Sequence, residues 1–535
     1  MDRLIAPRTV TQTVSVHAPR ASSVQLCSPA AQVELAAVEG RWRGSIEIPR
    51  GGTYWLTVDG GEPLVDPDCE RMTWQGGRPR CVAGDPWPVG SRLAVQPTDP
   101  VIYELHVKGF GGSFRGVAER LDYLAELGVD VIELMPVTPF DTSNNYWGYM
   151  PVVWGAVHEP YAGGGDPAGE LADLIAAAHE HGIAVWLDVV FNHTGEGSSD
   201  KPTWSLRGLD DAGAYLWDGQ RYNDDTGCGN TINPANAEVR RLVFSALDRF
   251  ARLGVDGFRF DLASILARDG GELVGEIARW ARQVGVAIVA EAWDMGRYLV
   301  GDPVWVAPWR QWNDRYRDDV RSLLRGEHGQ AAFVASRISG SVDLFGHRGP
   351  DASVNFITAH DGLTMHDLTT VDHDGYNAWN APAQLRPQLM KNYFTVLLLS
   401  RGPALFVMGD EFARTQHGHP NPYDIDGPLS WVDWARLDEW RELHDYVAAL
   451  LRLRHDHPVT TVRLYGVNEH PDLAWHSQSL AWSTGDLYVM LNAWTQPLEF
   501  GLFEPGQWEL AMSSVPMTGA TVPARSSAVW TRVAG

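Results

Sequence analysis

The feature that most constrains the fold is an alternation of short apolar strands with amphipathic helices, which begins near Pro97. Strands are predicted at 101–106, 131–135, 184–190, 255–260, 287–291, 341–344, 354–358 and 404–408, with helices such as 117–124, 170–180 and 238–253 between them. Eight strand–helix units predict a closed (β/α)8 barrel with insertions. A doubly wound sheet is the alternative, but no Gly-x-Gly-x-x-Gly run opens a helix after the first strand.

Segments with the two-residue period of β-strands flank this region on both sides. They include 14–17, 44–48 and 53–58 before the barrel, and 480–482, 487–492 and 527–530 after it. We therefore expect three parts: an N-terminal β-sandwich over 1–95, the barrel over 96–455 and a C-terminal β-sandwich domain of antiparallel strands over 456–535. The predicted class is α/β, a TIM barrel with an antiparallel β domain at each end.

Charged residues stand at the end of the predicted fourth strand. Arg259 and Asp261 are two positions apart, and such residues point to the same side of a strand. A fixed positive charge beside a carboxylate stabilises its ionised form, which a carboxylate nucleophile requires. An isolated Arg-x-Asp pair would more often be a structural ion pair at a strand end.

This pair is not isolated, because other strands end in the same kind of residue. The third strand is followed by Asn192 and His193, the fifth ends at Glu291, and the seventh leads to His360 and Asp361. In such barrels the active site is built at the carboxyl ends of the strands, so these side chains are expected to meet in one cleft. Bringing several carboxylates together costs free energy and is usually retained for function.

Composition restricts the partners. The net charge of −24 argues against nucleic acid and anionic membranes, which require clustered Lys and Arg, and favours a neutral substrate. The 23 tryptophans suit a protein that stacks flat rings on sugars, although many will be core. The acidic doublets at 224–225 and 318–319 lack the convergent oxygens of a calcium site, so neither a metal nor a cofactor is expected.

The expected location is the cytoplasm. Four cysteines form no dense framework, and although Cys69 and Cys81 could bridge, reduced thiols are the preferred interpretation. The first eight residues contain no apolar core of a secretory signal, and no apolar run reaches the length of a membrane span.

Four motifs, in order, resemble the signature regions of the α-amylase superfamily. They are DVVFNH at 188–193, GFRFD at 257–261, AEAW at 290–293 and FITAHD at 356–361. Supporting runs include YELHVKGF at 103–110 and NYWGY at 145–149, and the isoamylase and glycogen-debranching group is the nearest match. The N-terminal sandwich also resembles the module of those enzymes that is related to carbohydrate-binding domains. Whether it binds sugar or only packs against the barrel is open.

The resemblance implies a role for each carboxylate. Asp261 would be the nucleophile of a covalent glucosyl-enzyme, Glu291 the acid/base, and Asp361 the third carboxylate, which holds ring hydroxyls of the distorted sugar. The net outcome would be retention of anomeric configuration. For its role Glu291 would have to stay protonated near neutral pH.

The resemblance also implies a substrate-binding set. Arg259 would orient Asp261, His193 and His360 would hydrogen-bond the sugar, and Tyr146 would stack against it. Asn192 and Trp293 complete the set, while Asp188 is expected to support Arg259 and the barrel. Trp147, Trp293 and Trp379 either line the glucan path or belong to the core.

The implied substrate is glycogen, a limit dextrin or another branched α-glucan, cleaved at α-1,6 branch points. The sequence departs from typical debranching enzymes in two ways, because the chain is shorter and the segment after Asp361 is abbreviated. These differences leave an α-1,4-acting hydrolase or a glucanotransferase as the alternative. A non-catalytic glucan-binding protein is the third alternative. Degenerate relatives usually lose a catalytic carboxylate, and here all three are present.

Overall fold

The computed structural model describes residues 9–533, so the N-terminal segment examined for a signal peptide lies outside it. The first part is a β-sandwich. One sheet contains Thr9–Val16, Arg41–Pro49 and Ala36–Val38, and the other contains Gln32–Glu34, Val24–Cys27, Thr53–Val58, Arg78–Val82 and Met72–Gln75. Residues of both sheets, such as Val16, Ile48 and Leu56, fill one shared core, because inward positions alternate with outward ones.

The centre is a closed parallel barrel of eight strands, which confirms the predicted fold class. Its strands are Val101–Leu105, Val131–Leu134, Ala184–Val189, Gly257–Phe260, Ala287–Ala290, Arg310–Asn313, Ser353–Phe356 and Ala404–Val407. The helices are Val107–Gly111, Phe114–Ala118, Leu121–Leu127, Pro167–Glu180, Leu206–Ala214, Ala237–Leu253, Glu272–Val284, Asp314–Arg325, Ala331–Ile338, Val342–Phe345, Arg386–Leu398, Arg436–Glu439 and Arg441–Asp456. A small hairpin, Trp217–Asp218 with Arg221–Tyr222, lies in the insertion after the third strand.

The sixth strand corrects the sequence analysis. Residues 341–344 were predicted to form it, but Val342–Phe345 is a short helix and the strand is Arg310–Asn313. This strand carries polar residues that the barrel buries: Gln311 and Asn313 are 1% and 0% exposed, and Asn313 Nδ2 donates to the hydroxyls of Ser341 and Ser353. Gln311 Oε1 accepts from the backbone N–H of Gly301 at 2.8 Å. Because this strand buries polar side chains, it lacks the apolar sequence by which buried strands are recognised.

The C-terminal part is antiparallel, as predicted. Arg463–Tyr465, Ser479–Thr484, Leu487–Asn492, Ser526–Arg532 and Trp508–Ser513 form one sheet, and Leu498–Glu499 pairs with Thr521–Val522. One face of the larger sheet, which includes Trp482 and Val489, joins the core of the barrel. Across residues 9–533, no helix is both long enough and apolar enough to cross a membrane.

Ionic contacts fix the N-terminal sandwich to the barrel. Asp68 accepts hydrogen bonds from Arg241 Nη1 at 2.6 Å, Arg249 Nη2 at 3.1 Å and Ser245 Oγ at 2.7 Å, all on the helix Ala237–Leu253. Burial raises the pKa of Asp68, but the Arg241 hydrogen bond and charge outweigh burial and lower it below its usual value. The sandwich is therefore held to the barrel by a partly buried carboxylate that is stabilised in its ionised form.

We predict that Asp68→Asn lowers the free energy of unfolding by about 2 kcal/mol at pH 7, because two arginines lose their partner. A lowered native pKa gives stability that is present above the unfolded pKa of about 3.9 and is lost as pH falls further. The difference from wild type, measured by urea unfolding, should therefore shrink below about pH 4. Glu62→Gln, which breaks an exposed ion pair with Arg78, is the control and should change stability by less than about 0.5 kcal/mol. An equal loss in both variants would contradict the prediction.

Candidate active site

Arg259 lies at the centre of the polar cluster inside the mouth of the barrel. Its side chain is fully buried, and Nη1 donates to Asp188 Oδ2 at 2.8 Å and to Asp261 Oδ1 at 3.0 Å. Nη2 lies 3.1 Å from Glu291 Oε2, and the guanidinium stacks 4.2 Å from the ring centroid of Trp312. One cation therefore contacts carboxylates that come from the third, fourth and fifth strands.

Asp261 emerges immediately after the fourth strand, on the same side as Arg259. Asn192 Nδ2 donates to its Oδ2 at 2.8 Å and to its backbone oxygen at 2.8 Å. With the Arg259 contact, each carboxylate oxygen has a donor in a site where Asp261 is 8% exposed. Both donors stabilise the charged carboxylate and fix its orientation.

Glu291 is 5% exposed and has a different environment. Burial, together with the neighbouring charges of Asp261 and Asp361, raises its pKa to about 8 although Arg259 opposes the rise. The backbone N–H of Leu262 donates to Glu291 Oε2 at 2.8 Å. Leu262 adopts φ 38° and ψ 48°, a left-handed conformation that is costly for a non-glycine residue and that aims this N–H at Glu291.

His360 is held between two carboxylates. Its Nδ1 lies 2.7 Å from Glu104 Oε1, its backbone N–H donates to Glu104 Oε2 at 2.6 Å, and its Nε2 is 3.4 Å from Asp361 Oδ2. Burial lowers the pKa of His360, but the charges of Asp361 and Glu104 outweigh burial and raise it to about 9. The imidazole is therefore a cation at neutral pH and faces the cleft through Nε2.

Asp361 and Trp293 are the most accessible of the predicted site residues. The Asp361 side chain is 61% exposed, and it lines a cavity of about 460 Å³ together with Glu291 and the half-buried Trp293. Asp261 does not line this cavity, but Arg259 contacts both Asp261 and Glu291. The three carboxylates therefore come together at the carboxyl ends of the strands, which is where a barrel of this kind builds its active site.

Tyr146, which is predicted to stack against the sugar, is buried in the structure. Its ring is 3% exposed and packs on His106 with centroids 4.0 Å apart, away from the carboxylates. Tyr149 occupies the expected place: its ring stacks on His360 at 4.9 Å and its hydroxyl donates to Asp188 Oδ2 at 2.6 Å. Both tyrosines belong to the NYWGY run at 145–149, three positions apart. The sequence of this run does not show which of the two rings faces the cleft.

His193 also differs from expectation. Its Nδ1 contacts Asn192 Oδ1 and its Nε2 lies 2.6 Å from the backbone oxygen of Tyr149, so protein atoms engage both ring nitrogens. Burial lowers the pKa of His193. In this arrangement His193 positions Asn192, the residue that orients Asp261, and holds the backbone that carries Tyr149.

Sequence reasoning missed Glu104 and Glu133, which face the barrel interior on the first two strands at paired positions. Glu104 holds His360, whereas both carboxylate oxygens of Glu133 lack a hydrogen-bond partner among the described residues. Burial and the charges of Glu104 and Asp188 raise the pKa of Glu133 far above its usual value. Each of these glutamates lies within an otherwise apolar strand sequence, and that pattern could have identified them.

Comparison with known proteins gives the family. Residues 73–205 match the family model "Alpha amylase, catalytic domain". Isoamylase 1, chloroplastic, of Oryza sativa subsp. japonica is 32% identical over 87% of this chain and 68% of its own length. The chain belongs to the isoamylase group of the α-amylase family.

Two further comparisons concern a second relative and a solved structure. The "Glycogen operon protein GlgX homolog" of Mycobacterium tuberculosis (strain ATCC 25618 / H37Rv) is 35% identical over 72% of this chain and 62% of its own length. The structure of a pullulanase from Anoxybacillus sp. LM18-11, complexed with maltotetraose, superposes with a TM-score of 0.84 at 24% identity, and covers 98% of this chain and 86% of that one. At that identity the pullulanase supports the fold alone.

We predict that Arg259→Met lowers the free energy of unfolding by about 3–5 kcal/mol at pH 7, because it leaves buried carboxylates without their cation. The loss should shrink as pH falls, since those carboxylates then take up protons. Arg321→Met is the matched control: Arg321 is equally buried but donates to the backbone oxygens of Ile357 and Tyr376 rather than to carboxylates. Urea unfolding at pH 7 and pH 5 should show a pH-dependent loss for Arg259→Met only, and the same pH dependence in both variants would contradict the assignment.

Proposed function

We propose that this chain is a retaining glycoside hydrolase that cleaves the α-1,6 branch linkages of glycogen or a related branched α-glucan. The observation that carries the proposal is the unequal environment of Asp261 and Glu291, which share one guanidinium. Asp261 has a donor on each oxygen, whereas burial raises the pKa of Glu291 to about 8. A retaining mechanism needs a positioned carboxylate nucleophile and a protonated general acid. The two donors hold Asp261 in place, and the raised pKa of Glu291 favours its protonated form.

The first chemical step uses both groups together. Asp261 attacks the anomeric carbon while Glu291 transfers its proton to the leaving oxygen, which gives a glucosyl-enzyme. Asn192 and Arg259 hold the attacking carboxylate in place. Asp361 and the His360 Nε2 beside it are placed to hold ring hydroxyls of the sugar as positive charge develops.

The second step reverses the role of Glu291. As a carboxylate it removes a proton from water, and the water attacks the anomeric carbon and releases Asp261. Two inversions at one carbon give net retention. Tyr149, rather than Tyr146, offers the aromatic face beside the cleavage position, because its ring lies against His360.

Branched glucan as the substrate is supported by the named relatives, an isoamylase and a protein of a glycogen operon. A cytoplasmic location is supported by the four cysteines, all of which are free thiols. We further propose that the chain divides at about residues 95 and 455, near the ends of the sandwich and the barrel.

We expect debranching activity on glycogen and amylopectin, measured as reducing ends with longer linear chains released and iodine absorbance rising. Asp261→Asn should reduce the rate by at least about a thousandfold, because the amide cannot act as nucleophile. Release of short sugars from unbranched amylose by the wild type would indicate an α-1,4-acting amylase or transferase instead. Tight glycogen binding without turnover in the wild type would indicate a binding protein.

We also predict that kcat/KM falls as pH rises above about 8, because Glu291 must be protonated in the free enzyme. Since the charge of Asp361 contributes to the raised pKa of Glu291, Asp361→Asn should move this alkaline limb to lower pH in its residual activity. Initial rates between pH 5 and 10 on one branched oligosaccharide measure both. An alkaline limb at the same pH in wild type and Asp361→Asn would contradict the assignment of Glu291 as the acid.

A further inference from the structure

The cavity beside Glu291 extends to one side of the cleavage position. It is lined by Glu291, Asp361 and the loop 293–298, together with Asp314 and Arg317 of the helix Asp314–Arg325. Tyr149 and Asp261 do not line it. Its volume of about 460 Å³ is typical of a small-ligand site.

The reaction mechanism indicates which part of the substrate occupies the cavity beside Glu291. A general acid protonates the oxygen of the leaving group, so the leaving chain must depart from the face of the sugar that Glu291 occupies. This assignment depends on the function proposed above, with Glu291 as the acid. The cavity that opens from Glu291, and not the Tyr149 face, is therefore the space for the leaving chain.

The loop 293–298 is preformed by a buried carboxylate. Asp294, whose side chain is fully buried, accepts hydrogen bonds from Ser264 Oγ at 2.5 Å and Arg268 Nη2 at 2.8 Å. It also accepts from the backbone N–H groups of Gly296 and Arg297, at 2.7 and 2.9 Å. These contacts fix the loop before any ligand arrives.

Tyr298 ends this loop as an exposed aromatic ring in a fixed orientation. The residue is 44% exposed, and its hydroxyl donates to Asp314 Oδ1 at 2.7 Å and accepts from Arg315 Nε at 3.2 Å. The Arg315 guanidinium lies 5.2 Å from the ring centroid. An exposed ring that is held by its polar end loses little conformational entropy when a flat apolar surface packs on it.

We propose that Tyr298 is a specificity-determining residue that packs against the leaving glucan chain, beyond the sugar unit attached to the broken bond. The apolar face of a glucose ring fits an aromatic side chain, and the half-buried Trp293 in the same cavity extends the surface toward Glu291. Tyr298 thereby selects substrates with an extended main chain over substrates whose leaving group is a single glucose.

The test compares two substrates with the same maltosyl branch, joined α-1,6 either to glucose or to an inner unit of maltotetraose. Tyr298→Ala should lower kcat/KM for the maltotetraose substrate by about tenfold and change it by less than about twofold for the glucose substrate. Tyr298→Phe keeps the ring and should stay within about threefold of wild type on both. Phe333→Ala removes an exposed ring (53% exposed) from the helix Ala331–Ile338 and should leave both values unchanged.

Three outcomes would overturn the proposal: an equal loss on both substrates, no loss on either, or a loss confined to the glucose substrate. Failure of the proposed function is distinguishable from failure of this inference. If the wild type cleaves only linear maltooligosaccharides, the α-1,6 assignment fails, and Tyr298→Ala should still reduce the preference for long leaving chains in the product pattern. A wild type that hydrolyses neither class would overturn both.

Discussion

The guanidinium of Arg259 is the interaction on which the rest of the site depends. It is fully buried and reaches Asp188, Asp261 and Glu291. A buried charge is tolerated only when it is paired and well hydrogen-bonded, and here one cation is shared by carboxylates from three strands. The shared cation therefore links the closure of the barrel to the geometry of the cleft, because none of these strands can move without breaking a charged contact.

The barrel interior holds more carboxylates than cations. Beneath the cleft, Glu104, Glu133 and Asp188 face Arg259 and His360, the latter with a pKa of about 9. Burial raises the pKa of Asp188 to about 6, and that of Glu133 far above its usual value. The raised pKa favours the neutral carboxylic acid form of Glu133.

How much the sequence could predict depends on whether a residue's role is local. Seven barrel strands and the residues that follow them were identified, because buried strands have a recognisable apolar pattern and the polar residues stand at their ends. The sixth strand was not predicted, because Gln311 and Asn313 are polar side chains that the barrel buries, and Asn313 Nδ2 donates to Ser341 and Ser353, 28 and 40 residues further along the chain. Contacts of this kind leave no trace in a window of ten residues.

The sequence analysis named Tyr146 and did not consider Tyr149, because the motif does not show which of the two rings faces the cleft. The two rings are three positions apart in one loop. The ring of Tyr146 packs on His106, whereas the ring of Tyr149 stacks on His360. Likewise, both nitrogens of His193 are taken by Asn192 and the backbone of Tyr149, which no motif reveals. A motif therefore identifies which residues assemble, and only the packing around them decides which of them face the substrate.

The two carboxylates that matter most have different environments although they contact the same arginine. The difference comes from what else each one meets. Asp261 receives the amide of Asn192 in addition to Arg259, whereas Glu291 has the charges of Asp261 and Asp361 nearby. Ionisation of Asp261 thus helps to hold the proton on Glu291, and formation of the glycosyl ester removes that charge. The pKa of Glu291 should then fall during the reaction, which suits its change from acid in the first step to base in the second.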